Sequence, residues 1–418
     1  MRRKTNSGMA WVSILLAIVS AVGIYFLPVY KFWFLALLLL NLLFSIVFKN
    51  KYNVSALTVC RILVGALFIF SSFTKGVDPL GTKYKILDYL AAYHMTWLNG
   101  LSMVLSVGLI LAEFIVGICL LLNIMPRLAV LGAALLMVFF TFTTLFDALY
   151  DLVPDCGCFG SAIKMSNWQT FYKNLVIDAV LMPLILNNKR LENRLFNLPV
   201  QLILAILFAA GFLGFEIYNY RHLPVIDFMN WKVGKQMNAE ADEPTRIYLT
   251  YRNKATGEMK EYLSPNYPWN DSVWMSEWEF VEQRAEGGAD YLDFTALDEN
   301  GNDVTEMILS TENLLMFTSN DLSKVKEKDW QKVKAITETA DRNGYYVIWI
   351  VAEEPEYVDE LRMKYDFLYE AYYADELEIK TIVRFNPGLI WLHNGLVKDK
   401  WSAVDFPQGE RLEKLFGH

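Results

Sequence analysis

Gly100 to Leu122 reads GLSMVLSVGLILAEFIVGICLLL, a run with a single charged residue, Glu113. A helix of roughly 20 apolar residues crosses the hydrocarbon core of a membrane, so this run predicts a transmembrane helix. Outward from it, the first half of the chain contains similar runs in both directions. About seven spans are predicted, near Met9–Leu27, Phe32–Phe48, Val54–Phe73, Gly100–Leu122, Arg127–Leu149, Trp168–Leu186 and Val200–Tyr218. The first half is therefore predicted to be an α-helical membrane bundle.

The second half has a different composition. The chain of 418 residues is 54% hydrophobic with a mean hydropathy of +0.25. The long apolar runs stop near Tyr218, and the sequence beyond Arg221 is polar and acidic. The first half is suited to lipid and the second half to water, so the chain is predicted to have two parts, with the lipid bilayer as the partner of the first. The net charge of −8 argues against nucleic acid as a partner, because nucleic-acid-binding surfaces are basic.

Basic residues between the spans predict the orientation. If every span is real, four basic clusters fall on one side, which the positive-inside rule assigns to the cytoplasm. These clusters are Arg2, Arg3 and Lys4; Lys49 and Lys51; Arg127; and Lys189, Arg190 and Arg194. The N-terminus is thus predicted to be cytoplasmic and the C-terminal part extracytoplasmic. The first span also has the basic start and apolar core of a cleaved signal peptide, and the later spans keep their orientation in either case.

The chain has four cysteines, and two of them form a motif. Cys156 and Cys158 flank Gly157 in a predicted outer loop, on the side of the membrane where disulfides persist. This pattern predicts a dithiol that exchanges electrons with a partner thiol; two small buried residues or half of a metal site are the alternatives. The four histidines offer no ligand pair at a familiar spacing, so no metal is expected. Cys60 and Cys119 are interpreted as small core residues near the inner ends of their spans.

Ionisable residues interrupt the apolar spans, and Arg61, Glu113, Lys173 and Asp178 are the candidates among them. Such residues usually face the bundle interior and pair with one another. A pair between Arg61 and Glu113 is geometrically possible. The four residues are expected to form a polar network, which either holds the helices together or serves as a proton path or a polar cavity for a quinone-like molecule.

Three segments resemble a known family of membrane proteins. They are RILVGALFIFSSFTKGVDPLGTKYKILDY at Arg61–Tyr89, AEFIVGICLLL at Ala112–Leu122 and DCGCFG at Asp155–Gly160. They resemble the DoxX-like membrane proteins, most closely the MauE (methylamine utilisation) branch. The resemblance covers roughly Val54–Leu186.

The resemblance implies a fold and a chemistry. It implies a four-helix bundle akin to the DsbB and vitamin K epoxide reductase membrane oxidoreductases, with Cys156 and Cys158 as the redox pair. It also implies a bacterial inner membrane and a periplasmic partner protein with exchangeable thiols, since MauE-like proteins are associated with the maturation of disulfide-containing periplasmic enzymes. The chain departs from the DsbB pattern because it has no second exposed cysteine pair.

The C-terminal part is predicted to be α/β. Strands are expected at Leu314–Thr318 and Tyr345–Val351, with an amphipathic helix around Leu322–Asn343 between them. Strand–helix–strand units of this length imply a partly parallel sheet. The rest is predicted to be a helix near Pro355–Tyr365, a strand at Ile382–Leu392 and a hairpin turn at Asn394-Gly395.

This part resembles a thioredoxin-like domain of the TlpA type. Pro387 stands where that family keeps its cis-proline, and Ser319-Asn320-Asp321-Leu322 stands where it keeps a CxxC motif. Since no cysteine follows Cys158, this part cannot perform dithiol chemistry by itself. Two roles remain for this part. It is expected either to bind extended client peptides in a groove beside Pro387 or to serve as a spacer.

The sequence thus predicts five parts: two N-terminal spans (1–53), a DoxX/MauE-like four-helix domain (54–190), a last span (191–220), a strand-containing connector (221–289) and a thioredoxin-like domain without CxxC (290–418). Two functions are consistent with them. One is a membrane thiol-redox protein acting through Cys156 and Cys158. The other is a non-catalytic scaffold or assembly factor whose thioredoxin-like domain binds client proteins.

Overall fold

The computed structural model describes residues 15–17, 19–20, 23, 31–47, 52–153, 157–163, 165–193, 195–238, 246–254, 256, 258–263, 268, 272–286, 294–367 and 369–416. The chain divides into two compact units, Met1–Phe228 and Met229–His418. The finer division into five parts stays a prediction.

Most of the described residues of the first unit are helical. The α-helices are α1 (Lys31–Val47), α2 (Val54–Val77), α3 (Pro79–Ala92), α4 (Ser102–Leu122), α5 (Pro126–Tyr150), α6 (Asn167–Leu186) and α7 (Leu198–Arg221). Ser166 and Gln169 form a capping box at the start of α6, which satisfies two backbone donors.

Four helical segments are long and apolar enough to cross a membrane: Val54–Val77, Thr96–Leu122, Pro126–Tyr150 and Leu198–Arg221. The predicted span Met9–Leu27 lies largely outside the described residues. The spans predicted at Phe32–Phe48 and Trp168–Leu186 correspond to α1 and α6, and α6 carries Lys173 and Asp178. The count of seven spans is therefore not confirmed.

Helices α2 and α4 cross at two glycines. A Cβ atom on Gly65 would lie 2.8 Å from the backbone nitrogen of Leu121 and 2.9 Å from the carbonyl oxygen of Gly117. One on Gly117 would lie 2.9 Å from the backbone nitrogen of Ile69. Small residues at such contacts allow helix backbones to approach closely, which is a main source of packing energy inside membranes.

The second unit contains two sheets. The smaller has the order β2-β1-β3 and is antiparallel. Its elements are β1 (Arg246–Asn253), β2 (Met259–Leu263), the short helix α8 (Ser272–Glu277) and β3 (Trp278–Glu286).

The larger sheet has the order β6-β5-β4-β7-β8. Its elements and helices are α9 (Thr305–Ser310), β4 (Asn313–Ser319), α10 (Glu327–Arg342), β5 (Tyr346–Val351), α11 (Pro355–Tyr365), β6 (Glu370–Tyr373), α12 (Glu376–Ile382), β7 (Gly388–His393), β8 (Leu396–Ser402) and α13 (Glu410–Phe416). Strands β4, β5 and β6 are parallel, and β7 and β8 are antiparallel to their neighbours. The predicted partly parallel sheet is confirmed.

Both faces of this sheet are covered. Leu315 and Phe317 belong to one buried cluster, and Leu314 and Met316 belong to another. Successive side chains of a strand point to opposite faces, so an apolar run such as LLMF indicates a central strand that is buried on both sides.

Two predictions for this unit need correction. The helix expected at Leu322–Asn343 is a short 3-10 turn at Leu322–Lys324 followed by α10. The strand expected at Ile382–Leu392 begins only at Gly388, because Ile382 ends α12, where Ile379 and Ile382 are buried at helical spacing. Strand β6 was not predicted, because four residues give too short a pattern. The helix at Pro355–Tyr365 is confirmed, and so is the hairpin turn, where Asn394 and Gly395 have φ of 47° and 75°.

Candidate functional site

The described part of the cysteine loop, residues 157–163, forms a turn on the end of α2. The backbone nitrogen of Gly160 donates to the carbonyl oxygen of Gly157 over 2.9 Å, and the two residues have φ of 54° and 63°. A Cβ on Gly160 would lie 3.0 Å from the carbonyl oxygen of Thr74. Glycine is thus required at 160 both for its left-handed conformation and for its proximity to α2.

The hydroxyl of Ser71 connects the loop to a buried ion pair. Its oxygen lies 2.9 Å from the carbonyl oxygen of Cys158 and 2.9 Å from Glu113 Oε2, and it can donate to either. The other oxygen of Glu113, Oε1, lies 2.5 Å from Lys75 Nζ. The side chains of Ser71 and Glu113 therefore lie between the backbone of Cys158 and the Lys75 ammonium.

A small cavity lies beside this connection. Its volume is about 30 Å³ for the centres of water-sized spheres, which corresponds to roughly two water molecules. Its lining comprises Leu67, Phe68, Ser71, Lys75, Glu113, Met137, Phe140, Cys158, Phe159, Lys173, Asn174 and Ile177. Polar groups of α2, α4 and α6 thus converge on the cysteine loop in a mostly apolar pocket, which is the usual form of a binding or reaction site.

Lys173 enters the cavity from α6. Its ammonium lies 4.7 Å from the centre of the Phe159 ring, within the range of a cation–π interaction. Phe159 also packs against Phe70 of α2, with ring centres 5.3 Å apart. The residue that follows Cys158 is therefore held between a lysine and a second aromatic ring.

The structure brings together some of the predicted site residues. Cys158, Glu113 and Lys173 line one cavity. Cys156 lies outside the described residues. Asp178 is not part of the lining and accepts a hydrogen bond of 2.8 Å from Thr141.

The suggested pair between Arg61 and Glu113 is not the observed arrangement. Arg61 donates to the carbonyl oxygens of Leu120 and Leu121 at the end of α4, and Glu113 binds Lys75 instead. The last carbonyl oxygens of a helix have no partner within the helix and carry partial negative charge, so they attract a cation. Arg61 thus caps α4.

Sequence reasoning missed three polar residues. Ser71 and Lys75, four residues apart on α2, were overlooked because the predicted span ended at Phe73, before Lys75; their helical spacing was the available signal. Glu216 is a buried carboxyl on α7, and neither of its oxygens has a hydrogen-bond partner among the described residues. Its position within the predicted span Val200–Tyr218 was the signal for it.

Cys60 and Cys119 are core residues, as predicted. Their exposed fractions are 0% and 3%, and they belong to the same buried cluster of the first unit.

In the second unit, the surroundings of Pro387 are joined by hydrogen bonds. The Asn386–Pro387 peptide bond is cis. Ser319 donates to Asn386 Oδ1 over 2.7 Å, and Asn386 Nδ2 donates to the carbonyl oxygen of Asp321 over 2.6 Å. The Leu322 backbone nitrogen donates to Glu353. The segment where the resemblance would place a CxxC motif is thus an ordered turn, and the client groove stays a prediction.

The long apolar helices define the class: this is a multi-helix membrane protein. Residues 53–187, which include α2 to α6 and the cysteine loop, match the model of the family described as methylamine utilisation protein MauE. Comparison with curated proteins and with solved structures gave no match. Among the described residues, no group of three His, Cys, Asp or Glu side chains is placed to hold a metal ion.

Proposed function

We propose that residues 53–187 form a membrane thiol-redox module that exchanges disulfides with an extracytoplasmic protein through Cys156 and Cys158. The observation that carries this proposal is the position of Cys158: its carbonyl oxygen lies within hydrogen-bond distance of the Ser71 hydroxyl, and it lines a cavity with Lys75 and Lys173. The reactive form of a cysteine is the thiolate, which cations stabilise. The family match supports a membrane protein associated with methylamine utilisation; the chemistry proposed here acts on protein thiols.

The exchange conserves atoms and electrons. A thiolate of the partner attacks one sulfur of the Cys156–Cys158 disulfide, and the other cysteine leaves as a thiolate and takes up a proton. The second thiolate of the partner then breaks the mixed disulfide. The partner is oxidised by two electrons, the Cys156–Cys158 pair is reduced by two, and the reverse reaction uses the same steps.

A bacterial inner membrane, with the cysteine loop on its periplasmic side, fits the first unit. At the opposite end of the bundle, where α2 begins and α5 starts, Arg127 donates to the carbonyl oxygen of Leu191 over 3.0 Å, and Arg190 to that of Tyr52 over 2.9 Å. Basic residues collect on the cytoplasmic side. The cysteines would then face the compartment in which disulfides persist.

A quinone is the electron acceptor that the DsbB-like resemblance suggests. The apolar walls of the cavity and the donors Ser71, Lys173 and Asn174 are chemically suited to a quinone ring and its carbonyl oxygens. Space for roughly two waters is too small for such a ring. The side chains would have to move apart to admit it.

For the second unit we propose a thioredoxin-like fold without redox activity. The sheet order β6-β5-β4-β7-β8, with Pro387 directly before β7, supports it. A second candidate function is that of a scaffold which holds client proteins; the turn beside Pro387 that would contact them is ordered by hydrogen bonds among Ser319, Asn386 and Asp321.

The decisive experiment is a redox titration of the full-length protein in membranes. Buffers of graded thiol potential are followed by alkylation and a mass-shift assay. A reversible two-electron transition between about −100 and −300 mV, the range of known exchange proteins, supports the redox function. Cys158→Ser should abolish the transition, and Cys60→Ala, a buried cysteine in the core, should preserve it. A pair that stays reduced throughout would refute the redox function.

The scaffold function makes a different prediction. A Cys156→Ser/Cys158→Ser chain should still be cross-linked to its client, and Pro387→Ala should reduce the yield. If loss of the cysteines abolishes cross-linking and Pro387→Ala does not alter it, the scaffold function is wrong.

A further inference from the structure

Three charged side chains line the cavity beside Cys158: Lys75, Glu113 and Lys173. Lys75 and Glu113 form an ion pair with 2.5 Å between their charged atoms, so their charges largely cancel at a distance. For Lys173, no carboxylate lies within 4.0 Å among the described residues. Among the described residues, Lys173 is therefore the positive charge of the cavity lining that has no carboxylate partner.

We propose that this charge, the ammonium of Lys173, stabilises the thiolate of Cys158. Lys173 is thereby an electrostatic partner of Cys158, separate from the Lys75–Glu113 ion pair. The purpose of this interaction rests on the proposed redox function, but the interaction itself can be measured without it.

The position of Lys173 supports the assignment. Its ammonium is fixed over the ring of Phe159, the residue next to Cys158, at 4.7 Å from the ring centre. Both Lys173 and Cys158 line the same small, mostly apolar cavity. A cation near an acidic group favours the charged form of that group.

Other charged groups face the loop from the remaining elements. On α3, the carbon chain of Lys85 passes Gly157, at 3.0 Å from the position of a Cβ there. Asp78 accepts a hydrogen bond of 3.3 Å from Ser161. Lys75 and Glu113 act from α2 and α4. A test must therefore separate Lys173 from the ion pair and from other lysines.

The experiment measures the rate of Cys158 alkylation by iodoacetamide from pH 5 to 10. It uses the full-length protein in lipid nanodiscs with Cys156→Ser, so that Cys158 cannot form the pair, and peptide mass spectrometry assigns the modified residue. The variants are Lys173→Met, Lys173→Arg, the double variant Lys75→Met/Glu113→Gln, and Lys83→Met as a matched control outside the cavity lining.

The proposal expects a shift in one variant. Lys173→Met should raise the midpoint of the pH–rate profile by roughly one pH unit, because the thiolate loses its nearest uncompensated cation. The midpoint should stay within a few tenths of a pH unit in the other three variants. Lys173→Arg keeps the positive charge, Lys75→Met/Glu113→Gln removes two charges that cancel, and Lys83→Met lies outside the cavity lining.

Two results would overturn the proposal: an unchanged midpoint in Lys173→Met, or an equal shift in the double variant or Lys83→Met. This readout differs from that of the proposed function. A protein whose cysteines show no redox transition but whose profile responds to Lys173→Met would refute the redox function and retain the electrostatic interaction.

Discussion

Lys75 Nζ and Glu113 Oε1 lie 2.5 Å apart, and the side chains are only 7% and 1% exposed. The pair joins α2 to α4 inside an apolar bundle, and Ser71 donates toward the second carboxylate oxygen. Removal of a charge from water has a large energetic cost, and the attraction of the opposite charge offsets it. Either residue buried without the other would therefore destabilise the fold. Each residue makes the burial of the other possible.

Lys75→Met should destabilise the first unit by about 3–5 kcal/mol, because Glu113 would remain buried without its counter-charge. SDS-induced unfolding in mixed micelles, followed by tryptophan fluorescence, measures the change. The double variant Lys75→Met/Glu113→Gln should lose less than Lys75→Met alone. If the stability loss of the double variant equals the sum of the losses of Lys75→Met and Glu113→Gln, the two residues are not coupled.

Gly117→Ala should destabilise the bundle by about 1–3 kcal/mol, because the new methyl group meets the backbone of α2 and the helices must separate. Gly108→Ala is the matched control on α4, since nothing lies within 4 Å of a Cβ at that position. It should be neutral or slightly stabilising, by up to about 1 kcal/mol, because alanine favours helix over glycine. The same unfolding assay compares the two, and equal effects would contradict the close helix contact.

Asn386→Ala should loosen the turn after β4. It removes the acceptor of the Ser319 hydroxyl and the donor to the Asp321 carbonyl, each worth about 1 kcal/mol. Hydrogen–deuterium exchange of the full-length protein should show faster exchange in peptides that cover 319–324. Asn300→Ala, in an exposed loop, is the control. Unchanged exchange in Asn386→Ala would show that these bonds do not hold the turn.

Glu353 should make the second unit less stable as pH rises. Burial raises the pKa of Glu353 above its ordinary value of 4.5, against the effect of the hydrogen bond from the Leu322 backbone. Its Oε2 is buried without a hydrogen-bond partner in the described part of the chain. The folded state then binds the proton of Glu353 more tightly than the unfolded state does. The contribution of Glu353 to stability is therefore greatest below pH 4.5 and is lost as pH rises through the folded pKa.

Glu353→Gln should remove this dependence. The variant should be more stable than the parent protein at pH 7, and the difference should disappear near pH 4. Chemical denaturation of the second unit within the full chain, at both pH values, measures it. An equal difference at both pH values would point to a packing effect rather than to protonation.

The capping box at Ser166, the helix at Pro355–Tyr365 and the hairpin at Asn394-Gly395 were predictable because each depends on neighbours within a few residues. The strand expected from Ile382 was wrong for a related reason. The segment TIVRF, residues 381–385, is apolar enough for a strand. Only burial against the sheet decides that Ile382 ends a helix instead.

The sequence by itself determined the class of each half. Apolar runs long enough for a bilayer and an acidic α/β remainder follow from composition and period, which require no knowledge of contacts. It also predicted which residues carry chemistry: the cysteine motif and the ionisable side chains in apolar helices. Only the tertiary structure decided their partners. Lys75, from the end of α2, reaches Glu113, while Arg61 binds the open carbonyls of α4. Partner choice depends on the crossing of α2 and α4 at Gly65 and Gly117, and helix crossing is set by packing between residues far apart in the chain.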